Sequence, residues 1–124
     1  MTTEYPQIRV LKNTTNLLLR LGFQAHQRGY RYLREAVCIV FQEPESLASV
    51  TKYIYPEVAK RFNTTDKQVE RAIRNSIETA WSNGNAKGFE DVLGEMYISS
   101  ESRPTNKEII EMLKSHIEHY PMPE

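Results

Sequence analysis

The chain has 124 residues, 40% of them hydrophobic and 26% charged, which suits one globular domain with a single buried core. Its longest apolar run, AVCIVF at 36–41, is too short to span a membrane, the N-terminal MTTEYPQIRV does not resemble a signal peptide, and a lone cysteine excludes an internal disulfide. The formal net charge is zero, but residues 1–76 carry 12 basic and 7 acidic residues, whereas residues 77–124 carry 4 and 9. These features together indicate a cytoplasmic protein. Binding to a polyanion depends on where the charge lies and not on its sum, so the basic residues 1–76 could still bind nucleic acid.

Helical periodicity begins near the N-terminus. Residues 8–21 form the first predicted helix, and Gly22 is a natural stop. The apolar residues at helical spacing in this segment are Ile8, Leu11, Leu18 and Leu21. Residues 29–42 carry apolar side chains around much of the circumference, which predicts a central, largely buried helix that ends before Pro44. Those side chains are Tyr30, Leu33, Val37, Ile39, Val40 and Phe41, and Cys38 is predicted to be a small core residue among them.

A short helix is predicted at 47–53, and two further helices follow in YPEVAKRFNTTDKQVERAIRNSIETAW at 55–81, joined by a turn of three or four residues. In the first of the two, Ala59 lies beside Val58, and its small size permits a close helix crossing. Asn63 in the turn suits the left-handed conformation that ends a helix.

The second helix of this pair, at 66–81, has one apolar and one polar face. Thr65 is placed to cap it, with Gln68 as the capping-box partner. The residues predicted to point inward are Val69, Ala72, Ile73, Ile77 and Ala80. The residues predicted on the opposite face are Lys67, Arg71, Arg74, Asn75 and Glu78, with Gln68 and Glu70 at its flanks.

The last third of the chain is less regular. Asn83 and Gly84 end the helix at 66–81, a possible short helix lies around 89–93, and Pro104 opens a last helix at 105–119. The apolar residues of that last helix are Ile109, Ile110, Met112, Leu113 and Ile117. Residues 120–124 are expected to be a frayed tail. The whole predicts a single all-α domain at 1–124, with about six helices and a central helix-turn-helix at about 55–82.

The polar face of the helix at 66–81 suits the major groove of DNA. Arginine can donate two hydrogen bonds to guanine, glutamine can pair with adenine, and glutamate can accept from the amino group of cytosine. A small residue in the first helix, a tight turn and a β-branched anchor early in the second helix are typical of DNA-binding helix-turn-helix units. The same pattern also fits an ordinary solvated face, because helix pairs with short turns are common.

Several segments, taken in order, resemble the DNA-binding effector domain of the stage-zero sporulation response regulator of endospore-forming bacteria. The segments are AHQRGYRYLREAV at 25–37, TKYIYPEVAKRFNTT at 51–65 and VERAIR at 69–74, with weaker similarity in WSNGN at 81–85 and RPTNKEIIEM at 103–112. The similarity runs from about Val10 to Leu113. It implies a six-helix fold, double-stranded DNA with a TGTCGAA-like box as partner, activation or repression of transcription, and contact with RNA polymerase and its sigma factor.

Members of that family usually carry an N-terminal receiver domain that is phosphorylated on Asp, and nothing similar precedes Tyr5. We therefore expect either an excised domain or a relative without a receiver. Tandem or dimeric binding on DNA is compatible with either expectation, although dimerisation driven by phosphorylation would need the receiver.

The resemblance also implies roles for individual residues. In the family the recognition helix contacts bases with an Arg, a Glu and a second Arg; Glu70 and Arg71 match the last two, and Gln68 stands at the place of the first. Because Gln lacks the charged fork of Arg, the preferred box is expected to differ. Gln68, Glu70 and Arg71 are thus the predicted base contacts. The predicted phosphate or base contacts are Lys67, Arg74, Asn75, Thr64, Thr65 and Lys60.

Outside the two-helix unit the signals are weaker. Further phosphate contacts could come from Tyr30, Arg31 and Arg34, although surface cations are more often simply solvated. His116 and His119 have a spacing that metal sites use, but no further ligand supports a metal, and a solvent-exposed pair is expected. No nucleophile–base set or phosphate loop is present in the sequence, so neither an enzyme nor a cofactor is predicted.

A second hypothesis stays open beside the transcription regulator. The chain could be a helical protein-interaction module or antagonist that keeps the fold but has lost operator binding. Gln68 and the missing receiver favour this alternative slightly. Glu70, Arg71 and Arg74 favour DNA binding more strongly.

Overall fold

The computed structural model describes residues 7–83, 86–94 and 103–120. These residues contain six α-helices and no strand, so the predicted all-α fold is confirmed. The helices are α1 (Gln7–Arg20), α2 (Arg28–Gln42), α3 (Tyr55–Arg61), α4 (Asp66–Ser82), α5 (Ala86–Leu93) and α6 (Asn106–His119). None of these helices is both long and apolar enough to cross a lipid bilayer.

The second helix, α2, lies at the centre of the fold, as its all-round apolar pattern predicted. It packs against α1, α3, α4 and α6, and Leu33, Ala36 and Val37 in its middle are fully buried. Cys38 is buried in the same core, which confirms its predicted place, and burial raises the pKa of its thiol to about 12. Arg61 at the end of α3 pairs with Glu35 of α2. The central helix therefore contributes to the packing of four other helices.

The predicted apolar face of α1 is wrong at its N-terminal end. Ile8 is 60% exposed, and the buried side of the helix begins at Val10 instead. Two polar residues, Asn13 and Thr14, lie on that buried side, where Asn13 Nδ2 donates to the carbonyl of Arg9 at 3.1 Å and Thr14 Oγ1 donates to that of Val10 at 2.7 Å. Because their own helix satisfies these polar groups, they can be buried, and a count of apolar residues alone misplaced the face.

The segment between α2 and α3 also differs from its prediction. Instead of an α-helix at 47–53, a 3₁₀ helix at Pro44–Ser49 is followed by a π-helical turn at Val50–Ile54, which runs directly into α3. Val50 and Ile54 are buried, so tertiary packing fixes this irregular backbone where local periodicity does not.

The last helix, α6, closes the core from the other side. Thr105, predicted as its first residue, is its N-cap, and a complete capping box joins it to Glu108. Its predicted apolar residues are buried except Met112, which is half-buried. The described residues do not include the predicted stop at Gly84, the segment at 95–102, or residues 121–124 of the tail predicted at 120–124.

Candidate nucleic-acid interface

The turn between α3 and α4 is a tight left-handed helix stop. Asn63 has a φ of 55°, as predicted from its place in the sequence. The N–H of Thr64 donates to the carbonyl of Ala59 at 2.9 Å, and the N–H of Asn63 donates to that of Lys60 at 3.4 Å. These two bonds form a Schellman motif, which fixes the direction in which the chain enters α4.

The first turn of α4 is capped from one side only. Thr65 Oγ1 accepts from the N–H of Gln68 at 3.2 Å, which confirms the predicted N-cap. The reciprocal bond of a capping box is missing, and within residues 7–83 the amide of Gln68 makes no hydrogen bond. The Gln68 side chain is exposed and its hydrogen-bonding groups are therefore free for another partner.

The inner face of α4 packs so closely against the start of α2 that the backbones of the two helices are in contact. A Cβ added to Gly29 would lie 2.1 Å from the carbonyl oxygen of Ala72 and 2.2 Å from Ser76 Oγ. Val69 and Ile73 are fully buried on this face, as predicted, and Ser76 is buried with them. Only glycine at position 29 allows the two helices to cross this closely. The orientation of α4 thus depends on a residue far from it in the chain.

On the far side of α4, four side chains form an outer stripe: Lys67, Gln68, Arg71 and Asn75. All four are exposed, and in the described parts of the chain none of these side chains has a hydrogen-bond or ion-pair partner. Two of them are cations and two are amides, so the stripe offers many unused donors. Lys67, Arg71 and Asn75 were predicted on this face and Gln68 at its flank, and the structure brings the four together.

Glu70, Arg74 and Glu78 lie on a different side of α4, here called the lateral stripe, which faces the start of α6. Arg74 and Glu78 were predicted on the outer face, but residues four apart follow one line along a helix, and this line runs beside the outer stripe. Arg74 Nη1 lies 2.6 Å from Glu70 Oε2, and Arg103 Nη2 lies 2.9 Å from Glu78 Oε2. Every charged group in the lateral stripe is therefore already paired.

A buried amide fastens the lateral stripe to α3 and α6. Asn106 Nδ2 donates to Tyr55 Oη at 3.0 Å and to the backbone carbonyl of Glu70 at 3.1 Å. Burial raises the pKa of Tyr55, so this phenol keeps its proton, and a lone pair on its oxygen accepts the bond. Sequence reasoning missed both side chains, because no local pattern reports a contact between residues 51 positions apart.

The remaining predicted contacts are spread more widely. Lys60 is exposed and lies 3.5 Å from Glu57, Thr64 is half-buried in the turn, and Thr65 is used as the cap. Tyr30 is buried, and Arg34 stacks over its ring while donating to Thr15 at 3.2 Å, so this pair lies against α1. Arg31 is exposed on α2. The three residues of α2, Tyr30, Arg31 and Arg34, are therefore not part of the outer stripe.

The two histidines of α6 are not equally exposed, contrary to the prediction. His116 is half-buried, and burial lowers its pKa, whereas His119 is exposed and its Nδ1 lies 2.8 Å from the carbonyl oxygen of Ser115. No group of three or more potential metal ligands lies together among the residues that the structure describes.

Comparison with known protein families gives a match to the model described as "Sporulation initiation factor Spo0A C terminal", over residues 14–117. The match covers most of the chain, and the chain belongs to this family. The family is one of all-helical DNA-binding domains of sporulation regulators and is not a family of enzymes.

Proposed function

We propose that α4 enters the major groove of a short DNA box with a TGTCGAA-like core and that its outer stripe contacts the bases. The single observation that carries this proposal is the row of exposed side chains, Lys67, Gln68, Arg71 and Asn75, which lack partners within the described chain. Acidic neighbours four residues away would pair with these cations and stabilise the helix. Here the acidic residues lie on the lateral stripe.

Arg71 is the central base contact of this proposal. It lies one turn into α4, and its guanidinium matches the O6 and N7 acceptors of guanine. The free amide of Gln68 suits the N6 and N7 atoms of adenine. The predicted phosphate or additional base contacts are Lys67, Arg74, Asn75, Thr64, Thr65 and Lys60.

Glu70 is proposed to accept from the amino group of a cytosine on the neighbouring pair. Its ion pair with Arg74 does not prevent this, because Arg74 is bonded to Oε2 and the other carboxylate oxygen keeps its acceptor capacity. The backbone of Glu70 is bonded to Asn106 in addition. Both bonds favour a fixed Glu70 side chain beside Arg71, and they suggest that Arg74 orients Glu70.

The proposed domain comprises residues 1–124 and acts as a transcription regulator, either activating or repressing. Contact with RNA polymerase and its sigma factor, and tandem or dimeric binding on repeated boxes, are part of the same proposal and rest on the family alone. The alternative is an interaction module that has lost operator binding. Gln68 at the place of the family's Arg is the observation that favours this alternative.

A gel-shift titration separates the two functions. The wild-type chain is titrated onto a duplex containing TGTCGAA and onto a scrambled duplex of the same composition, with Lys12→Ala as the control, since Lys12 is exposed on α1. We expect tighter binding to the box, and an unchanged preference in the control. Equal or absent binding to both duplexes would overturn the proposal and favour the interaction module.

A further inference from the structure

A groove of about 750 Å³ lies alongside α4, on the side of its lateral stripe. One wall is the segment at 48–52 together with Tyr55 at the start of α3, and the opposite wall is the segment at 103–107 at the start of α6. Glu70 and Arg74 of α4 lie between the two walls. The groove is therefore continuous with the proposed base-contacting helix but is built mainly from residues outside the helix-turn-helix.

The lining of this groove is strongly basic. Against one carboxylate, that of Glu70, the two walls and α4 together contribute four cations: Lys52, Arg74, Arg103 and Lys107. Arg74 is paired with Glu70, and Arg103 is paired with Glu78 just beyond the lining. Lys52 and Lys107 are exposed and have no ion-pair partner in the parts of the chain that the structure describes. Two positive charges in the groove are thus left uncompensated.

The chemistry of the groove suits a phosphodiester backbone. Lysine is a flexible point charge that binds phosphate without demanding a fixed geometry. Lys107 lies in the first turn of α6, where the helix N-terminus adds partial positive charge and Thr105 caps the N–H of Glu108. In helix-turn-helix complexes, backbone contacts beside the recognition helix fix the register of the protein on the duplex.

We propose that this groove holds phosphates of one DNA strand bordering the major groove, with Lys52 and Lys107 as the contacts. This inference rests on the proposed function, because α4 in the major groove brings that strand beside the lateral stripe. It adds a phosphate clamp formed by two segments that are 55 residues apart in the sequence and that the helix-turn-helix pattern does not include.

The test compares the double variant Lys52→Ala/Lys107→Ala with wild type on the box and on a scrambled duplex between 50 and 200 mM salt. Loss of two phosphate contacts lowers the slope of log affinity against log salt by about 1.8, so wild-type affinity should fall about twelvefold more than that of the variant over this range. Both duplexes should weaken by the same factor at low salt, because phosphate contacts carry no sequence information. Lys52→Arg/Lys107→Arg should keep the wild-type slope, and Lys12→Ala should leave it unchanged.

The outcomes distinguish this inference from the proposed function. Sequence-specific binding by wild type with the same salt slope in the double alanine variant overturns the groove and leaves the proposed function intact. No binding by wild type to either duplex overturns both. A duplex series with single neutral methylphosphonates then locates the strand: two positions on one strand should weaken wild type but not the double alanine variant. Saturable binding of inorganic phosphate at Lys107, seen by amide chemical shifts, together with no such position, overturns DNA as the source of the phosphate.

Discussion

The outer and lateral stripes of α4 carry similar residues but differ in what those residues touch. Along the outer stripe, Arg71 is exposed and unpartnered within the described chain. Along the lateral stripe, one turn further on, Arg74 is bonded to Glu70, whose backbone is in turn bonded to Asn106. The outer side of the helix therefore keeps all its side-chain hydrogen-bonding groups for a partner, while the lateral side already uses part of its own within the fold.

This difference assigns separate tasks to two arginines that look equivalent in the sequence. A free guanidinium has all its donors available for a bidentate bond, whereas that of Arg74 already donates from Nη1 to Glu70. The lateral stripe then serves to hold Glu70 and the helix backbone in place. Both tasks depend on the inner face, where Gly29 lets α2 approach the backbone of α4.

The largest expected effect, on the free energy of unfolding, comes from Gly29→Ala, which adds a side-chain atom where α2 packs against the backbone of α4. The added Cβ meets the backbone oxygen of Ala72 at 2.1 Å, so α4 as a whole must shift away from α2. We expect the free energy of unfolding to fall by about 3 kcal/mol, in the upper part of the range for overpacked cores. Urea denaturation followed by circular dichroism measures this fall, with Arg28→Ala as the neighbouring exposed control.

If both stripes depend on this crossing, Gly29→Ala also weakens discrimination between box and scrambled duplex under conditions where the variant is still folded. A variant as stable as wild type would show that the crossing has room to adjust. The close approach would then not be what orients α4.

The next effect compares the two arginines directly through Arg71→Ala and Arg74→Ala. Removing Arg71 should cost about 2 kcal/mol of binding free energy on the preferred box and less on random DNA, because a bidentate base contact is lost. Removing Arg74 should cost less than about 1 kcal/mol on the box, since its half-exposed ion pair only orients Glu70. Competition gel shifts on both duplexes give the two values.

The salt dependence of the same variants separates orientation from phosphate binding. If Arg74 itself holds a phosphate, its alanine variant weakens all duplexes alike and the log–log slope falls by about 0.9. If it orients Glu70, the slope is unchanged and discrimination falls. Equal losses in the two arginine variants would remove the distinction between the stripes.

Much of this arrangement was predictable from the sequence because local chemistry determines it. Gly22, Asn63 and Thr65 mark helix ends through backbone conformation and capping, and each acts within a few residues of its own position. The alternation of apolar and polar residues likewise predicted the buried side of α4. The polar residues on buried faces were the exception, since Thr14 and Ser76 are buried in spite of their hydroxyl groups.

The rest was not predictable because it depends on contacts between distant segments. Nothing near Gly29 indicates that the backbone of Ala72 will lie against it. Similarly, the basic groove joins Lys52 to Lys107, and no periodicity connects these positions. The pairing of Glu78 with Arg103 and the bond from Asn106 to the backbone of Glu70 likewise join segments that are far apart in the sequence.

A smaller effect is expected from Asn106→Ala, which detaches the lateral stripe from α6 without altering the outer stripe. The change removes the bonds to Tyr55 Oη and to the carbonyl of Glu70 and leaves the buried phenol without its donor. We expect the free energy of unfolding to fall by about 1.5 kcal/mol. Thermal and urea unfolding measure it, with Glu111→Ala, an exposed site on the same helix, as control.

The DNA readout of Asn106→Ala tests whether the lateral stripe has the supporting task assigned to it. Discrimination should fall modestly while the salt slope stays at its wild-type value, because no phosphate contact is removed. Unchanged stability together with unchanged discrimination would mean that α4 needs no support from α6.

The smallest expected effect is a change of preference by Gln68→Arg at the start of the outer stripe. Gln68 is exposed and its amide is unbonded in the described structure, so a longer cation can replace it without disturbing the Thr65 cap, which uses only the backbone N–H of residue 68. Arg offers guanine a charged fork that Gln lacks, whereas Gln suits adenine. We therefore expect wild type to select boxes with adenine beside the C-G step, and the variant to move toward the box usual for the family, by about 1 kcal/mol.

Selection from a randomised duplex library, sequenced for wild type, Gln68→Arg and Gln68→Ala, measures the preference at each base. The alanine variant should lose preference at that one position and keep the C-G step assigned to Glu70 and Arg71. If all three proteins enrich the same base beside the step, residue 68 does not contact DNA, and the base-contacting part of the outer stripe begins at Arg71.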